Sequence, residues 1–172
     1  EYTPLRRHAG RSVADFIRMD GAAPTLVNMA FTGGIGLVYR RALYPFGVRL
    51  NGPLVCCVLS MTGFAAFGKH PKNILPVMAG ACLAKALLVA VPFTAPGPLL
   101  AVLFCTGLAP IAGQFGVFWG MVAGFLHMTI VQNTSILHGG MNLYNNGCAA
   151  GLVCVLLLPI IEALRSRSTA EP

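Results

Sequence analysis

The chain has 172 residues, 56% of them hydrophobic and 10% charged, with a formal net charge of +7 and a mean hydropathy of +0.72. Soluble domains carry roughly 25% charged residues; here no Asp, Glu, Lys or Arg occurs between Lys85 and Glu162, and no acid between Asp20 and Glu162. That excludes an ordinary water-soluble domain, which would have no solvated surface over such a stretch, and the chain reads as a multi-pass membrane protein.

The basic residues sit in the N-terminal segment, in short loops and at the C-terminus. This distribution suits membrane topology and phospholipid headgroups, and it carries no basic stripe interleaved with aromatics, so nucleic acid is set aside. The six cysteines lie in or beside apolar segments without a CxxC or Cys/His spacing. They read as small apolar fillers, and neither a disulfide framework nor a metal site is expected.

In chain order, residues 1–20 read as a polar, basic surface arm, either a short interfacial helix or a solvated linker. Tyr2 to Asp20 lacks the layout of a secretory leader, and the chain, starting at Glu1, reads as a piece of a longer protein. A membrane domain over residues 21–164 follows, and residues 165–172 form a polar tail. The membrane domain divides into six apolar segments. The first spans Pro24 to Tyr39, with an extension to Phe46 past Arg40 and Arg41. The others are Gly52–Gly68, Ile74–Phe93, Leu99–Gly113, Val117–Leu137 and Gly147–Leu164. A spanning helix needs about 20 residues. The third and fifth meet that easily, the second and last are marginal, and the fourth is short. Short, Gly- or Pro-interrupted segments mark broken or re-entrant helices beside a transport site, although a tilted, slightly short span explains them equally well.

Charge does not settle the topology. If the basic loops 40–49 and 69–73 both face inward, the second segment enters and leaves on one side, and Arg6, Arg7, Arg11 and Arg18 are left outside. If all six segments cross, one basic loop faces outward. Gly116, Gly120 and Gly124, spaced by four, read as a ridge for close helix packing. Lys85, near the middle of the third segment, either snorkels or meets a polar cavity.

Four polar clusters interrupt the apolar sequence. Lys69, His70, Lys72 and Asn73 precede a helix whose free N–H groups favour anions; headgroup anchoring is the plainer reading. Thr106, near Pro110, lies where the fourth segment either breaks or ends. His127 belongs to a fifth segment that continues into Gln132, Asn133, Thr134 and Ser135, and polar groups at such depth face protein or a cavity. Last comes His138-Gly-Gly-Met-Asn-Leu-Tyr-Asn-Asn-Gly147, a non-helical connection into an apolar helix, with Asn145 or Asn146 as the natural N-cap. His138, Asn142, Tyr144, Asn145, Lys69, Asn73, Thr106 and His127 are the candidate solute-site residues. No catalytic constellation emerges: there is no Gly-x-Ser-x-Gly elbow, His-Glu-x-x-His or P-loop, and the core holds no carboxylates for acid–base work. Neither an enzyme nor a cofactor is expected.

The runs Gly63-Phe-Ala-Ala-Phe-Gly-Lys-His-Pro-Lys-Asn-Ile-Leu-Pro-Val77, Leu103-Phe-Cys-Thr-Gly-Leu-Ala-Pro110 and His138 to Gly147 resemble the signature blocks of a bacterial multi-pass family, domain of unknown function 1576, over roughly residues 12–164. The resemblance implies a tandem duplication of which this chain matches the second half, with Cys148 where an aromatic residue is common. It carries no activity, so no functional residues are transferred. A weaker likeness, of pattern only, is to urea-transporter-type channels, in which an Asn-Asn run also opens an apolar helix.

The expected fold is all-α and integral to the membrane: five to six hydrophobic segments with one or two broken or re-entrant helices, one repeat of a tandem-repeat transporter-like fold. The expected place is the bacterial cytoplasmic (inner) membrane. The expected function is a transporter or channel half for a small polar or anionic solute, with the bilayer and a homologous repeat or second copy as partners. The alternative is a scaffold or assembly subunit without a solute path.

Overall fold

A computed structural model describes residues 2–10, 14–88, 90–137, 139 and 145–170, with side chains up to residue 166. All regular structure among the described residues is helical. Two short helices, α1 (Tyr2–Leu5) and α2 (Phe16–Asp20), precede the long α3 (Ala22–Leu43). Asp15 starts α2 by accepting from the amides of Ile17 and Arg18, which satisfies donors that have no partner within the helix.

Helix α3 continues through a 3-10 turn at Tyr44–Phe46, and Gly47, in the left-handed region at φ 90°, ends it. Helix α4 (Gly52–Gly63) opens on Asn51, whose side chain accepts from Leu54 N, with Pro53 in the first turn, where its missing N–H costs nothing. A 3-10 turn, Phe64–Ala66, closes it. After a break at residues 67–70 comes α5 (Pro71–Leu88). Helices α6 (Pro96–Phe104) and α7 (Ala109–Phe115) are joined by a 3-10 turn at Cys105–Leu108. Then follow α8 (Val117–Val131), α9 (Thr134–Leu137) and α10 (Asn145–Ala170).

Among the described residues three helical runs are long and apolar enough to cross a membrane: Ala22–Phe46, Pro96–Phe115 and Asn145–Ser166, with mean hydropathies of 1.2, 1.6 and 2.3. Two expectations about length are thereby corrected. The fourth segment is not short, because α6 and α7 run on through the 3-10 turn and Pro110 falls in the first turn of α7, where it displaces no helical hydrogen bond. The fifth ends early: α8 has 15 residues, and a turn at Gln132 and Asn133 separates it from α9. Helix α5, which starts three residues before the third segment and covers most of it, has 18 residues but is not among the three; it carries Lys72 and Lys85 and an internal Pro76.

Helices α5 and α8 form the centre of the fold. Gly80 lies against the Met121 carbonyl and Gly124 against that of Val77, so closely that neither position has room for a Cβ. Gly124 of the expected ridge and Gly80 of α5 therefore set a backbone-to-backbone crossing, and Gly120 adds close packing on Ala112 and Pro76, the arrangement by which small residues increase packing contact. Gly116 instead forms the left-handed turn (φ 94°) between α7 and α8. Around this pair one apolar core joins α4 to α8 and α10 through residues such as Leu54, Met61, Ile74, Leu103, Met128 and Ile161. The periphery is different. Leu26, Phe31 and Val38 on α3, and Val155, Leu156 and Ile160 on α10, are exposed. In water such faces are unfavourable; lipid or another apolar helix removes the cost.

The N-terminal segment forms a short helix, α2, with Ile17 and Met19 exposed, and part of the segment is packed into the fold. Leu5, Ala14 and Phe16 are buried, and residues 8–10 run into the interior. The Ala9 carbonyl packs on Gly113, Gly10 packs on Gly68, and Tyr2 Oη donates to Asn28 Oδ1 (3.2 Å). Leu5 and Phe16 supply the apolar anchors that this otherwise polar stretch offers.

Candidate functional site

The break between α4 and α5 is built by two asparagines. Asn28 of α3 is fully buried, and its Nδ2 donates to the carbonyls of Ala65 and Lys69 (2.7 Å each). Asn73, in the first turn of α5, accepts from His70 N at 2.9 Å and donates to the Gly68 carbonyl at 2.9 Å. Together they occupy backbone groups that the missing helical turn would have paired, as buried backbone requires. Gly68 stands at φ 101°, and a side chain there would strike Gly10. His70 Nε2 lies 3.0 Å from the His8 carbonyl, so this nitrogen carries the proton and the N-terminal segment is tied to the break.

This bracing leaves the Lys69 side chain pointing into a cavity of about 630 Å³. Its Nζ donates to Thr106 Oγ1 at 3.2 Å and lies 5.1 Å from the centre of the Phe64 ring. Thr106, in the 3-10 turn between α6 and α7, donates in turn to the Leu103 carbonyl at 2.7 Å. The start of α10 forms another part of the wall: Asn145, Asn146 and Gly147 line the cavity at the end where a helix's N–H groups lack acceptors within the helix. Ser60 and Gly10 complete the polar part; Met61, Leu103, Phe104 and Ala150 are among the apolar lining. Lys69 lies in the connection between α4 and α5, outside the three long apolar runs, and burial pushes its ammonium down to about 8. Among the described residues no carboxylate lines the cavity.

Lys69, Thr106 and Asn145 thus line one cavity. Asn73 and His127 stand behind it: Asn73 shapes the break, and His127, fully buried on α8, places Nε2 3.2 Å from the Asn146 carbonyl and so holds the start of α10. His138, Asn142 and Tyr144 lie outside the described residues. Asn145 is not the N-cap of α10. It is already helical, and its Nδ2 donates to the carbonyl of Val131 (3.1 Å), covering the C-terminal end of α8. Lys85 is also buried, its Nζ 4.9 Å from the centre of the Phe93 ring. Among the described residues no three His, Cys, Asp or Glu side chains gather as metal ligands.

Sequence reasoning missed Asn28, Ser60 and the N-terminal contacts. Asn28 was the legible one, a lone amide in an apolar segment; Gly10 gave no signal, since its role comes from a close approach 58 positions away to Gly68.

The arrangement defines a class: a protein helical throughout its described residues, with runs long enough to cross a membrane and a largely apolar cavity, carrying a few polar groups, where three helices start or break. The chain belongs to the family described as protein of unknown function (DUF1576), whose model matches residues 1–163. The match includes the N-terminal segment, which the resemblance over residues 12–164 had left out. No curated protein and no solved structure matches the chain.

Proposed function

We propose that this chain is a multi-pass protein of the bacterial cytoplasmic membrane, and one half of a transporter or channel for a small polar or anionic solute. The observation that carries the reading is the cavity bounded by Lys69, Thr106 and Asn145, which lies where α4 breaks from α5, where the α6–α7 run tightens and where α10 begins. Irregular backbone at membrane depth is tolerated when it lines a cavity or is covered by protein, and transporters bind solutes at such interrupted helices. The exposed apolar faces of α3 and α10 suit lipid on one side and a homologous repeat or second copy on the other.

The test is a flux assay on the full chain in proteoliposomes, with a panel of neutral amides, amino acids, monocarboxylates and inorganic anions. At least one solute is expected to move faster than in empty vesicles and to slow at least fivefold with Asn145→Ala. If none moves faster, the reading falls and a scaffold without a solute path takes its place.

A further inference from the structure

We propose that the cavity takes a small organic monoanion, a carboxylate carried on a compact apolar body. The inference names the solute of the proposed transport site and rests on that reading for its biological sense, but the binding itself is testable without transport.

Three observations converge. The first is charge. Lys69 projects a half-buried ammonium into the cavity, and the neighbours the structure gives that group are a hydroxyl, on Thr106, and an aromatic face, on Phe64. Between Asp20 and Glu162 the chain has no carboxylate at all, so this charge has no acid of its own segment to balance it. A partly desolvated cation in such a setting is stabilised by any anion that enters.

The second is the start of α10. Asn145, Asn146 and Gly147 open a 26-residue helix, whose N-terminus carries about half a positive charge. One ammonium and one helix end match a single negative charge. Among the described residues Lys69 is the one cation of the lining, so a dianion would bring a second charge that they do not match. Thr106 fixes the ammonium: its hydroxyl has already spent its proton on the Leu103 carbonyl and so receives from Lys69.

The third is size and lining. A volume of about 630 Å³ falls in the range of small-molecule pockets, roughly 300–1,000 Å³, and far exceeds a halide. Met61, Phe64, Leu103, Phe104 and Ala150 make much of the wall apolar. An inorganic anion would leave that surface against water, whereas the hydrocarbon part of an organic anion would cover it.

The experiment is equilibrium binding of radiolabelled benzoate to the purified full chain in a neutral detergent. The competitors are benzamide, its uncharged isostere, then sodium chloride, and finally phosphatidylglycerol in mixed micelles. Saturable binding of one benzoate per chain is expected, displaced at least tenfold more weakly by benzamide and by chloride. Lys69→Gln is expected to weaken binding at least tenfold while Lys69→Arg retains most of it. Equal competition by benzoate and benzamide overturns the proposal, as does undiminished binding in a folded Lys69→Gln. Displacement by phosphatidylglycerol at lower concentration than by unlabelled benzoate also overturns it, because the anion held would then be a lipid headgroup. The benzoate–benzamide comparison uses the unaltered protein, so it decides the matter even if a variant misfolds. Benzoate binding without flux would sink the transport reading and keep this one; flux of neutral solutes without benzoate binding would do the reverse.

Discussion

Two polar clusters share the break between α4 and α5, and they are built on opposite terms. On one side, Asn28 and Asn73 spend their amides on the backbone of residues 65–70, and Tyr2 closes the remaining acceptor of Asn28. On the other, Lys69 turns its charge toward a cavity, where Thr106 takes one of its three protons. The first cluster resembles a helix cap drawn from several elements; the second resembles a binding site. The difference teaches how to sort polar residues in an apolar chain. A side chain whose donors and acceptors are consumed by neighbouring backbone holds the fold, and one whose capacity faces a void is available to a ligand.

The largest effect expected from breaking this comparison is at Asn28. Asn28→Leu strands the carbonyls of Ala65 and Lys69 and the hydroxyl of Tyr2. A buried polar group left unsatisfied costs about 1–3 kcal/mol, so the variant is expected to lose about 3 kcal/mol or more. Thermal unfolding in detergent, followed by circular dichroism, measures it. An unshifted midpoint would mean that the break stands without its brace and that the two clusters are not distinct in kind.

The opposite sign is expected at Lys69. Holding an ammonium in a partly dry cavity opposes folding, so Lys69→Gln should leave the midpoint unchanged or raise it. A clear fall would make Lys69 a structural group and erase the distinction from the other side. The same melts, run with and without benzoate, link stability to occupancy: ligand should raise the midpoint of the unaltered protein and not that of Lys69→Gln.

How much of this was legible in the sequence follows the same division. Apolar runs and the absence of carboxylates gave the helices, because burial depends on composition over a window. Lys69, Thr106 and Asn145 were legible as interruptions of those runs, and the structure places them around one cavity. What one window cannot show is a relation between windows. Asn28 looks like one tolerated polar residue until the carbonyls of Ala65 and Lys69, about 40 positions on, are found beside it. Pro110 read as either a break or the end of a helix because the sequence does not tell an interior position from a first turn, and the 3-10 turn at Cys105–Leu108 decides between them. The N-terminal segment read as a surface arm, interfacial helix or solvated linker, because polarity dominates its average, while Leu5 and Phe16 supply the anchors by which it packs.

Thr106 belongs to both clusters in a small way, and it carries the finest prediction. Its hydroxyl donates to the Leu103 carbonyl and accepts from Lys69, so it has one bond of each kind. Thr106→Val keeps the shape and removes both. The lost donation is the minor part: a serine or threonine hydroxyl bonded back to a carbonyl three residues earlier adds little to a helical turn, and stability should fall by at most about 1 kcal/mol. The lost acceptance matters to the site, because the ammonium then has no fixed partner and must be ordered by the ligand itself. Benzoate affinity should therefore fall about threefold to tenfold, since ordering a long side chain costs roughly 0.5–1.5 kcal/mol. Thr106→Ser, which retains the hydroxyl, should restore most of it. If valine and serine weaken binding alike, Thr106 acts through its methyl group and packing, and the hydroxyl does not position Lys69.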